Sequence, residues 1–479
     1  MAQKKVPKHI IRYDGGINQQ DKPYLIASNE GQEMQNYDLD RSGKGMALPT
    51  RLGNAKYFTT PVTSATSTRG IYQYITKTNT STYYLASLTN LYKYTTAGTT
   101  RMTFTLTADK DVVFATFNNK MLFVNGADAM KMVNSEATGT VAGSPPIGAR
   151  YIQVYANRVW AIATASSPSR ITHCAVQNEQ DWTTAKNAGY VDINPDDGDT
   201  LTGGRAQRTR LVLFKNRATY ALTGRTVDKF AWDLLNTTGC VAPLSIAVVD
   251  DNIFYLSDDG VYLLPADATQ PVLMSRKVRP IIDSISDKTI CCAGLRKNQY
   301  RLAYNIASGG KNIRELVLNF RTGAWTEDRH PTVGINSYFY DKKNDRLFAG
   351  SASQGMIIQI GSGNTDKGAK IYTYYKTGAL DAGEPDKYKH WEKAYLAAAT
   401  SSSTIYMDYF TDFVSNADQR AISLGSSTVK LIVKREPLEL GTEGRYLEIA
   451  LSNSADTTGA SVAQEVYTTN IYGDVVEDD

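Results

Sequence analysis

Residues 208–224 read RTRLVLFKNRATYALTG, and residues 245–267 read SIAVVDDNIFYLSDDGVYLLPAD. In the first stretch two apolar runs, 211–214 and 219–222, are parted by Lys215-Asn216-Arg217, which fits only a tight turn. The second repeats the grammar, with a run at 246–249, the turn Asp250-Asp251-Asn252 and a run at 253–256. After Ser257-Asp258-Asp259-Gly260 comes a third run, 261–264. Short β-branched and aromatic runs joined by Asn, Asp or Gly turns predict antiparallel meanders. Turn chemistry also accounts for the carboxylate pairs Asp250/Asp251 and Asp258/Asp259, with no acid–base role needed.

Outward from this stretch the unit recurs around turn asparagines at 79, 119, 157, 216, 252, 298 and 344. A period near 40–45 residues with three or four short strands per unit is the mark of β-propeller blades, here about seven. The widest interval, 157 to 216, holds QNEQDWTTAKNAGYVDINPDDGDTLTGG (177–204), read as an elaborated loop between the third and fourth blades. A pair of β-sandwiches would also give many short strands, but sandwiches need not keep so even a spacing.

The flanks read differently. Residues 1–65 are punctuated by Pro23, Gly31, Gly43, Gly45, Pro49 and Gly53 and predict an irregular arm. So long an arm must be held by the chain's own carboxy-terminal domain or by a neighbouring chain. Past Gly361-Ser362-Gly363-Asn364 the strands lengthen, to 391–398, 404–410, 428–434 and 446–452, after a wide loop GALDAGEP (378–385). In STIYMDYFTDF, Ile405, Met407 and Tyr409 face one way and Tyr406, Asp408 and Phe410 the other. The expected architecture is therefore all-β, with an arm (1–65), a propeller (66–375) and a small sandwich-like domain (376–479) ending in the acidic tail GDVVEDD.

Composition narrows the function. The 479 residues are 42% hydrophobic and 21% charged, as in an ordinary globular protein, and the net charge of +4 is too small to diagnose nucleic-acid binding. Tyr dominates the aromatics, 30 against 13 Phe and 5 Trp, and suits strands and interfaces alike. No apolar run reaches 18 residues, and MAQKKVPKHIIRYDGG lacks the apolar core of a secretory signal. Cys174, Cys240, Cys291 and Cys292 show no ligand spacing and read as reduced core thiols of a protein assembled in a cytoplasm.

Catalytic and metal signatures fail one by one. His9, His173, His330 and His390 are scattered, and no GxSxG occurs. The run Asp192-Ile193-Asn194-Pro195-Asp196-Asp197-Gly198-Asp199 resembles a calcium loop, but position six is Asp197 instead of Gly and position twelve is Gly203 instead of Glu. Ser42-Gly43-Lys44-Gly45 is too short for a phosphate loop. The expectation is a protein that is not an enzyme and has no metal and no cofactor. The best charge cluster is Arg205, Arg208, Arg210, Lys215, Arg217, Arg225 and Lys229, with Arg276-Lys277-Val278-Arg279 as a second. Strand alternation would set Arg208 and Arg210 on one face, where they could meet phosphates; the alternative is an edge strand guarded by charge.

Three stretches carry a family resemblance. They are GGINQQDKPYLIASNEGQEMQNYDLDRSGKGMALPTRLGNAKY at the amino end, the pair RTRLVLFKNRATYALTG and LLNTTGCVAPLSIAVVDDNIFYLSDDGVYLLPAD, and NFRTGAWTEDR with Trp325 after its turn. The Gly31 to Asn36-Tyr37 segment and Arg51-Leu52-Gly53 belong to the first. In this order they resemble the β-propeller tail hub, nozzle or packaged-DNA stabilisation proteins of short-tailed bacteriophages. The resemblance implies a structural virion tail protein, assembled in the host cytoplasm. It would form a homohexameric ring below portal and adaptor, extend the DNA conduit, retain packaged double-stranded DNA, and carry fibre, spike or plug proteins. Candidate contacts are then Arg205, Arg208 and Arg210 toward DNA in the lumen, and Tyr13, Asn18 and Tyr37 at an interface. The competing reading is a carbohydrate-binding or glycan-cleaving propeller of such a particle, which requires convergent carboxylates or aromatics in a pocket on one propeller face. A third, a cellular propeller scaffold, requires a monomer that binds no adaptor.

Overall fold

The turns of the repeat close hairpins because their residues tolerate the left-handed region. Asn118 and Asn119, Ala156 and Asn157, and Asp250 and Asp251 all have positive φ, the geometry of two-residue turns matched to strand twist. The structure is a computed structural model that describes residues 4–5, 9–39, 48–58, 61–62, 67–95, 98–102, 104–134, 138–400, 404–415, 420–423, 437–453 and 464–475. The loop 42–45, the strand expected at 428–434 and the acidic tail from 476 lie outside the described residues.

Among the described residues six four-stranded sheets form propeller blades, spanning 70–101, 113–140, 151–192, 201–236, 247–273 and 335–360, the last completed by the arm strand Asn54–Lys56. This corrects the expected seven. The remaining antiparallel meander, 292–329, lies on the same circle but is not a separate blade. Its outer strand Ala324–Arg329 is handed on to the arm strand Glu30–Gln35 and so into an 11-stranded sheet. The segment 177–204 is likewise more than a loop, since it yields Gly189–Asp192 as an outer strand of the third blade and begins Leu201–Ala206, the inner strand of the fourth.

Why the run LVLF carries no polar residue is now plain. Every blade is covered on both faces, so alternate side chains go to opposite neighbours. Leu211 and Leu213 pack with Trp160 and Ile162 of the third blade, whereas Val212 and Phe214 pack with Ile253 and Tyr255 of the fifth. Each such side chain contributes about 1.5–3 kcal/mol by leaving water. The circle closes where Ile71 and Leu85 of the first blade meet Phe348 and Ile357 of the last.

The second domain is a sandwich. One sheet holds Lys389–Thr400, Pro437–Gly444 and Gln464–Val475; the other holds Tyr374–Thr377, Thr404–Thr411 and Leu447–Ser452. Ile405, Met407 and Tyr409 are buried between them with Trp391 and Leu396, as the period of two requires. Among the described residues the one α-helix, Arg279–Asp283, starts at the last residue of the second basic cluster.

The described part of the arm is not irregular; it forms short strands shared among three sheets. His9–Ile11 and Leu48–Pro49 pair with Gln464–Val475, Glu30–Gln35 pairs with Tyr374–Thr377, and Asn54–Lys56 pairs with Ile357–Ile360. Gly53 is required where the arm turns into the blade, because a Cβ there would stand 2.0 Å from the Thr365 carbonyl oxygen. Gly53→Ala is expected to cost about 1–3 kcal/mol in chemical unfolding, the range for forced overpacking.

Candidate functional site: the buried ionic clasp of the arm

Where the arm crosses from the sandwich to the last blade, six ionisable side chains meet in the interior. Arg51 comes from the arm, with the Asn54 amide beside it; Arg301, Glu315 and Asp328 come from successive strands of the 292–329 meander, His330 from its end, and Asp366 from the loop after the last blade. No ionic member has more than 9% of its side chain exposed. Antiparallel pairing sets Arg301, Glu315 and Asp328 side by side, because Ala303 pairs with Glu315 and Glu315 with Asp328.

The guanidinium of Arg51 binds Asp366 through both terminal nitrogens, at 3.0 and 2.6 Å, and its Nε donates to the Asn36 side-chain oxygen at 2.8 Å. That oxygen also accepts from the Arg329 backbone N–H, and Asn36 itself has φ +60°. Arg301 donates to Glu315 at 2.6 Å and also to Asp328. His330 places Nε2 2.6 Å from Glu315, and Tyr338 donates to the same carboxylate. Such bidentate, charge-assisted contacts are the geometry guanidinium is suited to.

Burial alone would raise every carboxylate here, so the partners decide the outcome. Against that penalty Arg51 and His330 bring Asp366 down to about 2, and Arg301 with His330 holds Glu315 well below the usual range. For Asp328 burial wins, and Glu315 adds to it, so its proton affinity is raised. Glu315, Asp328 and His330 lie close enough to share a metal ion. The donor set does not fit one, because Arg301 already bridges the two carboxylates as the cation. The arrangement fastens the arm; its atoms are closed to a substrate.

A second buried cation explains the acidic run at 192–199. The Lys215 ammonium, whose side chain is 0% exposed, is ringed by Asp197 Oδ1 at 2.7 Å, the Asn194 carbonyl at 2.8 Å and Ser169 Oγ at 3.1 Å. Asp199 accepts from Asn216 and from the Arg217 backbone N–H, while Asp192 pairs with Arg170. The loop that resembles a calcium site does bind a cation, and the cation is a lysine.

The candidate DNA contacts separate. Arg208 and Arg210 are not on one strand face; both lie in the connection between Leu201–Ala206 and Leu211–Lys215. Arg210 is folded inward onto Gln207 and the Ala268 carbonyl, and half-buried Arg205 donates to the Gly204 carbonyl. Arg208 alone projects, 74% exposed, with Asp251 at 3.7 Å. The candidate interface residues are a correction too, since Tyr13, Asn18 and Tyr37 are all buried within the chain. Tyr13 shares a hydrogen bond with Thr469, and Asn18 donates to Glu30. Their interface is the seam between the arm and the chain's own body.

At one end of the propeller axis, a cavity of about 450 Å³ is lined by Arg69, Asp109, Asp111, Asp287, Lys311 and Asn336. Arg69 reaches Asp109 at 3.0 Å and Asp111 at 3.6 Å, and burial, opposed by Arg69, raises the Asp111 carboxyl. Sequence reading missed this set, since Asp109 and Asp111 precede an inner strand with no recognisable motif. The four cysteines are buried and form no disulfide. Among the described residues no helix is long and apolar enough to cross a membrane.

Neither a protein-family model nor a curated protein sequence matches the chain. Solved structures resemble it weakly. The computationally designed protein Ika8 is 9% identical, with 61% of this chain and 83% of that one covered and a TM-score of 0.41. The extracellular domain of a two-component system protein from B. thetaiotaomicron is 8% identical, with 74% and 45% covered and a TM-score of 0.48. PorZ, a surface component of the type-IX secretion system of Porphyromonas gingivalis, is 10% identical, with 70% and 44% covered and a TM-score of 0.41. The chain thus spans less than half the length of the latter two.

Proposed function

We propose that the chain is a structural part of a short-tailed bacteriophage virion, one wedge of a homohexameric tail hub or nozzle. In this reading the ring extends the DNA conduit below portal and adaptor, retains the packaged genome and presents fibre, spike or plug proteins. The observation that supports it most is the ionic clasp. One arm closes a propeller blade, supplies strands to both sheets of the sandwich and is pinned by Arg51, a linkage that would stiffen the two domains as one body. A conduit wall under pressure calls for such stiffness. Of the three candidate DNA contacts, Arg208 is the one whose side chain a phosphate could reach, and a loosely held contact suits a duplex that must slide.

The axial cavity supports the second reading. Asp109, Asp111 and Asp287 line it together, and burial raises the Asp111 carboxyl, the direction a general acid in glycan cleavage needs. Light scattering on the purified chain, run beside a glycan panel, separates the two. The ring reading expects a mass of six copies and no glycan binding or release. A monomer or trimer that releases sugar, and loses that activity on Asp111→Asn, would replace it.

A further inference from the structure

We propose that the arm clasp is a proton-dependent latch in which His330 serves as the third cation, so that its deprotonation loosens the arm strand closing the last blade. This goes beyond the ring reading and does not depend on it. The first support is charge balance. Arg51 and Arg301 face three carboxylates, Glu315, Asp328 and Asp366, inside a site closed to water. A charged imidazole makes the cluster neutral with all three carboxylates ionised, the alternative being a proton on Asp328, and an uncompensated buried charge is costly.

The second support is the side of the ring that faces the arm. His330 Nδ1 lies 2.9 Å from the Asn54 amide nitrogen and 3.2 Å from Arg51 Nη2, while the Asn54 side-chain oxygen has no hydrogen-bond partner. A neutral ring accepts from the amide as it stands. Turning that amide half a revolution brings the orphaned oxygen onto Nδ1, where a protonated ring donates to it. Each protonation state thus has a partner in the Asn54 amide, the charged one at the cost of the contact from Arg51 Nη2, and the residue that toggles is the first of the closing strand.

The groups facing the ring come from every element around it: Glu315, Arg301 and Asp328 from the meander, Tyr338 from the last blade, Asp366 from its following loop, and Arg51 and Asn54 from the arm. Burial and Arg51 oppose a charge on His330, but Glu315 and Asp366 outweigh them and raise its proton affinity. A raised value in the folded state means the latch contributes fully below the ordinary histidine range and weakens as pH rises through the folded value.

Hydrogen exchange of peptides covering 48–58 tests this between pH 5.5 and 9.5, with rates corrected for intrinsic base catalysis. The Gly53 and Asn54 amides, bonded to Gly363 and Thr365, report the opening. Protection is expected to be flat at low pH, then to fall about tenfold per pH unit from about pH 6.5 until the folded value is passed. Blade peptides such as 151–162 should stay flat, and His330→Gln should abolish the slope. If that variant fails to fold, the imidazole resonances of the unaltered chain decide, with one of four expected to titrate above the ordinary range. Uniform protection across the window would overturn the proposal, as would an imidazole of His330 that stays neutral throughout. A slope without histidine titration would assign the proton to Asp328 and overturn the role given to His330.

Discussion

Arg51→Ala is expected to lower the unfolding free energy by about 3–5 kcal/mol, the range for removing one partner of a buried ion pair. The loss comes less from contacts forgone than from the carboxylates left behind. Asp366 and Asp328 would remain buried with their nearest arm cation gone, and the Asn36 side-chain oxygen would lose one of its two donors. Denaturant titration gives the magnitude, and pH adds a signature. Asp366 is held at about 2, a depressed value, so its share of stability is present above the ordinary carboxylate range and is lost as pH falls toward 2. The gap between the two proteins should therefore narrow between about pH 4 and pH 2. Arg51→Lys should recover only part of the loss, because a point charge cannot replace the paired donors. An Arg51→Ala protein as stable as the unaltered chain would show that the arm is held by its strand pairing alone.

Lys215→Met is expected to cost about 2–3 kcal/mol, the scale of hydrogen bonds to a charged group lost from a closed site. The thioether fills the volume of the ammonium stem but leaves Asp197 and the Asn194 carbonyl facing one another across the vacated position. Asp197 is lowered because Lys215 outweighs its burial, so this stability is present at neutral pH and disappears on acidification. Thermal unfolding at pH 7 and at pH 3 should show a large difference between the proteins at the first and a small one at the second. Equal midpoints at pH 7 would mean the acidic loop is ordered without its lysine.

These two side chains show where reading a sequence stops. The blades were legible because turn asparagines and alternating apolar runs act over a few residues, and Leu211–Lys215 carries its own instructions. The clasp was not legible, because Arg51 and Asp366 are brought together only by the fold. Arg51 does stand in the Arg-x-Gly segment of the family resemblance, so a signal for the position existed, without any hint of its partner. His330 looked like one of four scattered histidines for the same reason. Lys215 was read as a turn residue and 192–199 as a failed calcium loop; each was half of one site. The tyrosines were expected at subunit contacts, yet Tyr13 packs edge-on against Tyr375 at 5.0 Å inside the chain. Composition counts rings without saying which surface they cover.

The most direct test of the central claim, that this chain is a stiff wedge working by shape in a ring, is electron-microscope class averaging of the purified protein. Sixfold rings are expected, with a central opening wide enough for duplex DNA and with propeller and sandwich held in one fixed relation. Single propellers, or particles whose two domains average separately, would contradict it.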